Sequence, residues 1–166
     1  ESILITFLHP AAPSSRQNVL MLKEKGVTSL TMDGIPRTSR AQRMDALTSM
    51  STVTGYRAVL MAAMALPKFI PMIGTAIGAI KPAIFLILGS GVVGLQAIAT
   101  AKRLGAIVQV VEIRQEAQKE AESLGAKVVG MDVPEELAKG VGGYARALPA
   151  EWIEKEKELL KVLVQD

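Results

Sequence analysis

Cysteine is absent from this chain of 166 residues. Disulfides, thiolate metal sites and cysteine nucleophiles are thereby excluded, and the composition suits a reducing compartment. Histidine is nearly absent, with His9 standing alone, and aromatic residues make up 4%. No long Lys/Arg run and no aromatic–basic alternation occurs, and the net charge is +3, so nucleic acid is not an expected partner. The early apolar run has neither a basic leader nor a small-residue cleavage site, so it does not read as a signal peptide. Internal repeats and low-complexity tracts are also missing.

What the chain does have is a hydrophobic fraction of 49%, enough for a sizeable core. It also has one informative stretch. Ala83-Ile84-Phe85-Leu86-Ile87-Leu88 runs into Gly89-Ser90-Gly91-Val92-Val93-Gly94, a helical pattern follows, and a second apolar strand ends in Glu112. A buried strand, G-x-G-x-x-G, a helix and an acid about 20 residues on form the dinucleotide-binding fingerprint in its proper context. Gly89 permits the tight turn, Gly91 lets the backbone approach a pyrophosphate, and Gly94 lets helix and strand pack closely.

A membrane span competes for the same residues, because nothing from Pro82 to Ala101 is charged and only Lys81 interrupts the run from Phe69. Gly89, Ser90 and Gly91 break that run, Gln96 and Thr100 sit where lipid would be, and each half has the length of a Rossmann element. Parallel strands buried on both faces read as continuous apolar runs. The nucleotide fold is therefore the expectation.

Along the chain, strands are expected at Ser2–Leu8 and Val27–Met32. A helix from Ser14 or Ser15 to Lys25, closed by Gly26, lies between them. A long helix is expected from about Ala41 to Leu66, with Met44, Leu47, Met50 or Ser51, Thr54, Ala58 and Met61 near one face. Gly55 inside it implies a packing reason. Pro67, Pro71, Gly74, Gly78 and Pro82 punctuate a linker. Strand Ile84–Leu88, helix Val92–Leu104, strand Ile107–Val111, helix Gln115–Leu124 and strand Lys127–Val129 then make βαβαβ, half of a Rossmann sheet. A Gly-rich loop around Gly140–Tyr144 and a final helix from Pro149 to about Val164 follow. The fold class is thus α/β. Residues 1–66 are part of an N-terminal α/β domain, 67–82 a linker, and 83–166 the first half of a nucleotide domain. The missing second half of that sheet makes the sequence read as a fragment.

Several residues admit two readings. Glu112 is placed to accept hydrogen bonds from an adenosine ribose and to repel a 2′-phosphate, which favours NAD. Arg114 beside it can accommodate that phosphate. In Pro36–Asp45, Ser39 and Gln42 fit a capping box for the long helix, and Asp45 offsets its dipole. Pattern alone favours capping over function there. The methionines of the long helix (Met44, Met50, Met61, Met64) read as packing.

Three stretches carry a resemblance: ITFLHPA at 5–11, MDGIPRTSRAQRMDALTSMSTVTGYRA at 32–58 and LGSGVVGLQAIATAKRLGA at 88–106. Together they resemble the NAD(H)-binding component of proton-translocating nicotinamide nucleotide transhydrogenases, over nearly the whole chain and in the right order. The R-x-x-x-x-Q-x-x-D pattern after a proline is particular to that family, and the related alanine dehydrogenases share the layout without it.

The resemblance implies a Re/Si-specific enzyme that transfers hydride directly between NADH and NADP⁺. The NADP⁺ would be held on a partner component, and a further membrane component would carry the protons. It implies that Arg37, Gln42 and Asp45 position the nicotinamide, with Arg43, Met44 and Thr48 beside them on the nucleotide. Gly89, Ser90, Gly91, Val92 and Gly94 would form the pyrophosphate turn, and Glu112, Ile113 and Arg114 the adenosine-ribose segment, where the family usually begins with Asp. Gly143 and Tyr144 would belong to a loop that closes over the nucleotide. A homodimer at the cytoplasmic face of the inner membrane, with no metal, is implied as well. His9, whose counterpart in alanine dehydrogenases takes part in catalysis, is read as structural. Two other functions stay open: an alanine dehydrogenase aminating pyruvate, and a non-catalytic nucleotide-binding module.

Overall fold

The computed structural model describes residues 2–36, 38, 40–138 and 147–164. The chain divides into two compact units, Glu1–Ser51 and Thr52–Asp166.

In the first unit β1 (Ile3–Thr6) pairs in parallel with β2 (Thr28–Thr31), in the register Ile3↔Thr28 to Thr6↔Thr31. A parallel pair needs a crossover, and α1 (Arg16–Glu24) supplies it after a short 3₁₀ turn at Pro13–Ser15. Gly26, at φ +65°, ends the helix as the sequence predicts. The two strand ends are tied through Asp33. Its carboxylate accepts the backbone N–H of Leu8 and of His9 (3.2 Å each) and the Thr31 hydroxyl, and it pairs with His9 Nδ1 at 3.3 Å. The hydroxyl of Thr31 is the main cause that holds the Asp33 carboxyl below its ordinary range, against a smaller opposing effect of desolvation. His9 sits at φ +48° in this turn, a left-handed conformation in which His is among the enriched non-glycine residues.

The long helix α2 (Ala46–Ala65) begins later than the sequence suggests. Gln42–Met44 form a separate 3₁₀ turn. The Asp45 carboxylate then caps the helix, accepting the Thr48 N–H at 2.9 Å and the Thr48 hydroxyl at 2.6 Å. The expected capping box is therefore corrected to Asp45–Thr48, an N-cap acid satisfying the third orphan N–H of the helix. Ser39 lies outside the described residues. The expected buried face of α2 is also corrected. Leu47, Met50 and Met61 are exposed, and burial falls at Gly55 and Val59.

In the second unit β5 (Ile84–Leu88), β6 (Ile107–Val111) and β7 (Lys127–Val128) form a parallel sheet in that order. Ile84↔Ile107 through Leu88↔Val111 fix the register of the first pair. Helices α3 (Val92–Arg103) and α4 (Gln115–Ser123) are the crossovers. This is the βαβαβ order read from the sequence, a Rossmann-like half sheet. Its core is built of small and β-branched residues: Ala97, Ile98 and Ala101 of α3, Val108 and Val110 of β6, Ala121 of α4, and Val59 of α2. Gly55 lets α2 meet α3, since a Cβ there would lie 2.2 Å from the Val93 carbonyl oxygen. The segment expected to be a bare linker holds a hairpin, β3 (Ile73–Thr75) with β4 (Gly78–Ile80). A short helix α5 (Glu135–Ala138) and α6 (Ala150–Leu163) complete the described elements. No helix among the described residues is long and apolar enough to cross a membrane.

Candidate functional site

The Gly-rich turn is built by its own sequence. β5 ends at Leu88, and Gly89 turns the chain at φ +84°, its N–H donating to the Val111 carbonyl at 2.7 Å. A side chain would be strained there. Gly91 is the residue before α3 and gives it no side-chain cap. The first turn closes when Leu95 N–H donates to the Gly91 carbonyl at 2.8 Å. The N–H groups of Val92 and Val93 precede that bond, so the i→i−4 ladder does not use them. They form the positive end of the helix dipole, where an anion is favoured.

Gly94 and Gly91 do different work. A Cβ at Gly94 would lie 1.9 Å from the Gly89 carbonyl oxygen and 2.9 Å from its carbon, so helix and turn touch backbone to backbone. A Cβ at Gly91 would meet no atom of the described residues within 4 Å. Among those residues, the space in front of Gly91 is open, at the end of the helix that attracts negative charge.

Across from the turn stands Glu112, at the carboxyl end of β6 and only 4% exposed. Its carboxylate is saturated with donors. Oε1 accepts the N–H groups of Ile113 and Arg114 (2.9 Å each) and Arg114 Nε (3.1 Å). Oε2 accepts Ser90 N–H (2.8 Å), the Ser90 hydroxyl (3.1 Å) and Arg114 Nη2 (2.9 Å). A carboxylate offers about four lone-pair sites, so no oxygen is idle. Burial works against the charged form. The Arg114 guanidinium and the N–H groups of Ser90 and Arg114 outweigh it and hold the carboxyl at about 2. The same pairing raises the Arg114 pKa above its ordinary value. The Ser90 hydroxyl also lies 2.9 Å from the Ala117 carbonyl of α4, a second acceptor for its proton. Ser90 thus ties the turn to β6 and α4.

A cavity of about 380 Å³ opens between these parts, lined by Leu88, Gly89, Val111, Glu112, Ile113 and Arg114. It lies outside the carboxyl ends of β5 and β6, where open α/β sheets bind ligands. Leu148, Ile153 and Glu156 complete its wall. No motif in the sequence marks them as site residues. Their signal was the i,i+3 spacing of Ile153 and Glu156 on one face of a late helix, which says nothing about the cavity it faces. The turn fits the pyrophosphate of a dinucleotide, with helix-end N–H donors and an open Gly91, while the acid at the ribose position, beside the cavity, has its oxygens filled by the protein's own donors.

The structure thus brings together Gly89, Ser90, Gly91, Val92, Gly94, Glu112, Ile113 and Arg114 in the second unit. Gln42, Arg43, Met44, Asp45 and Thr48 lie together in the first, around the start of α2. Arg37, Gly143 and Tyr144 lie outside the described residues.

Two family models match the chain. The alanine dehydrogenase/PNT N-terminal domain matches residues 1–54, and the alanine dehydrogenase/PNT C-terminal domain matches residues 58–166. The first of the NAD(P) transhydrogenase alpha-subunit polypeptides of Rhodospirillum rubrum is 42% identical over 163 residues, covering 97% of this chain and 42% of that protein. The NAD(P) transhydrogenase subunit alpha of Cereibacter sphaeroides is 42% identical over 159 residues, covering 95% and 30%. The chain therefore spans well under half the length of the curated relatives it matches. Among solved structures, a transhydrogenase from Sinorhizobium meliloti superposes with a TM-score of 0.77 at 33% identity, over 98% of this chain and 42% of that one. An L-alanine dehydrogenase superposes with a TM-score of 0.61 at 28% identity, over 78% and 37%.

Proposed function

The chain belongs to the alanine dehydrogenase/PNT family, and from that premise we propose that it is the nucleotide-binding portion of a transhydrogenase component that takes NAD(H). The observation that carries the reading is the uncapped start of α3 behind an open Gly91, facing the strand-end Glu112. The relatives above 40% identity are named as transhydrogenase alpha subunits, and the alanine dehydrogenase structure is a more distant neighbour.

When bound, NADH supplies a hydride that passes to NADP⁺ on a partner component. The role of this chain is positioning. The Val92 and Val93 N–H groups hold the pyrophosphate charge, Gly91 leaves room for it, and Ser90 keeps the turn at its distance from β6. Gln42, Asp45 and Arg37, with Arg43, Met44 and Thr48, orient the reacting ring. Gly143 and Tyr144 close over the nucleotide and exclude water. Orientation and water exclusion supply the rate enhancement, with no general base and no metal required. The assembly we propose is a homodimer on the cytoplasmic face of the inner membrane, docked to an NADP(H)-binding and a proton-conducting component.

The test is single-turnover hydride transfer from NADH to NADP⁺ by the full-length protein mixed with an NADP(H)-binding component. NADH should be consumed in step with NADPH formation. Consumption of NADH only with pyruvate and ammonia would replace this reading with alanine dehydrogenase. No transfer to either acceptor, with NADH bound, would leave a binding module.

A further inference from the structure

In α6, Trp152, Glu156, Leu159, Leu160 and Leu163 are half-buried, at the spacing of one helix face. All but Glu156 are apolar. An acid on the inward stripe of an amphipathic helix breaks the pattern that folds the helix, and such breaks belong at functional positions. The other acids of α6 are paired along the helix, Glu151 with Lys155, Glu154 with Lys157 and Glu158 with Lys161. Glu156 has no hydrogen bond or ion pair of its side chain among the described residues. It lines the cavity of about 380 Å³ beside the glycine turn. Glu112 lines the same cavity, but the protein's own donors fill its oxygens. The acceptor capacity left in that cavity is therefore that of Glu156.

We propose that Glu156 is a specificity-determining residue of the nucleotide site, its carboxylate accepting the exocyclic amino group of the adenine ring. The proposal rests on the nucleotide-binding reading above. With the pyrophosphate before Gly91 and a ribose beside Glu112, the base is the next group along the dinucleotide. The rest of the cavity is walled by Ile113, Leu148 and Ile153, apolar side chains against which a flat ring packs. An ionised carboxylate only accepts hydrogen bonds. The ring nitrogens N1, N3 and N7 of adenine are acceptors too, so the exocyclic amine is the group of the base that Glu156 can bind. Hypoxanthine carries a carbonyl at that position, which sets acceptor against acceptor. Its N1–H donor, one ring position away, reaches Glu156 only if the base shifts off those walls.

Full-length protein is titrated with NADH and with reduced nicotinamide hypoxanthine dinucleotide, read by nucleotide fluorescence, for the wild type, Glu156→Gln and Glu156→Ala. The wild type should bind NADH at least about tenfold more tightly, the weight of one hydrogen bond to a charged group. Glu156→Gln keeps the size and helix propensity of the residue. Its amide can turn to accept from the amine or donate to the carbonyl, so the two affinities should come within about threefold of each other. Glu156→Ala should weaken NADH and leave the hypoxanthine form unchanged or tightened. Equal affinities in the wild type overturn the proposal, and so does a preference that survives in Glu156→Gln. Equal weakening of both nucleotides in the variants would place Glu156 away from the exocyclic group and also overturns it. A wild type that binds neither nucleotide removes the nucleotide-binding reading itself, whereas one that binds both alike removes only this assignment.

Discussion

Gly94→Ala should destabilise the second unit, and the amount follows from one distance. The added methyl would lie 1.9 Å from the Gly89 carbonyl oxygen, and both sides of that contact are backbone. An ordinary carbon–oxygen contact is roughly 3.4 Å, so about 1.5 Å must be found by moving the first turn of α3 or the Gly89 turn. Overpacking of this kind costs about 1–3 kcal/mol, and the upper end applies where no flexible side chain can yield. Gains from helix propensity, about 1 kcal/mol for Gly→Ala, offset some of it. The net expectation is a loss of about 2 kcal/mol. With a urea m-value of about 2 kcal/mol/M, the midpoint would fall by about 1 M. Equilibrium urea unfolding followed by far-UV circular dichroism measures it. An unchanged or raised midpoint would show that helix and turn do not meet as described.

Three further outcomes follow from other contacts. Glu112 has a folded-state pKa of about 2 against an ordinary 4.5, so its contribution is present above about pH 4.5 and lost as pH falls toward 2. It amounts to about 3 kcal/mol, and an acid titration of stability should be flatter in Glu112→Gln than in wild type. Asp45→Ala removes the cap on Thr48 and should cost about 1 kcal/mol, at most about 2, by the same urea assay. Gln42 is not the capping partner that its spacing suggested, so Gln42→Ala should melt within a degree or two of wild type. Its hydride transfer should still fall about 10²-fold if it orients the ring, and single-turnover kinetics against a melting curve separates the two.

The nucleotide half was legible because its signals are local. Ile84–Leu88 and Ile107–Val111 are mostly apolar runs of strand length, the first ending at Gly89 and the second starting just after Gly105, and the structure has strands at those same residues. The glycine turn and the acid follow from spacing alone. The hairpin at 73–80 was not legible, since its glycines and the flanking Pro71 and Pro82 read as a linker and its strands are three residues each. The face of α2 was misread because Ala, Ser, Thr and Met surround that helix almost evenly and leave no apolar stripe. The helix is oriented by Gly55, where only a missing side chain lets α3 approach. At the site, spacing placed Glu112 and Arg114 together. That they fill each other's hydrogen bonds depends on side-chain reach, which a strand-end pattern does not encode. The division into compact units falls within α2, where no turn residue marks it.

The central claim is that a dinucleotide pyrophosphate sits in front of Gly91. Gly91 has an extended backbone (φ −73°, ψ −166°), and a Cβ there touches no atom of the described residues. Gly91→Val should therefore still fold, losing about 1 kcal/mol for a β-branched residue at the N-cap of α3, while filling the space the phosphates need. A fluorescence titration of the full-length protein with NADH is the direct measurement. Affinity should fall at least a hundredfold in Gly91→Val, with a melting temperature lowered by only a few degrees. Wild-type affinity in a folded Gly91→Val protein would contradict the claim.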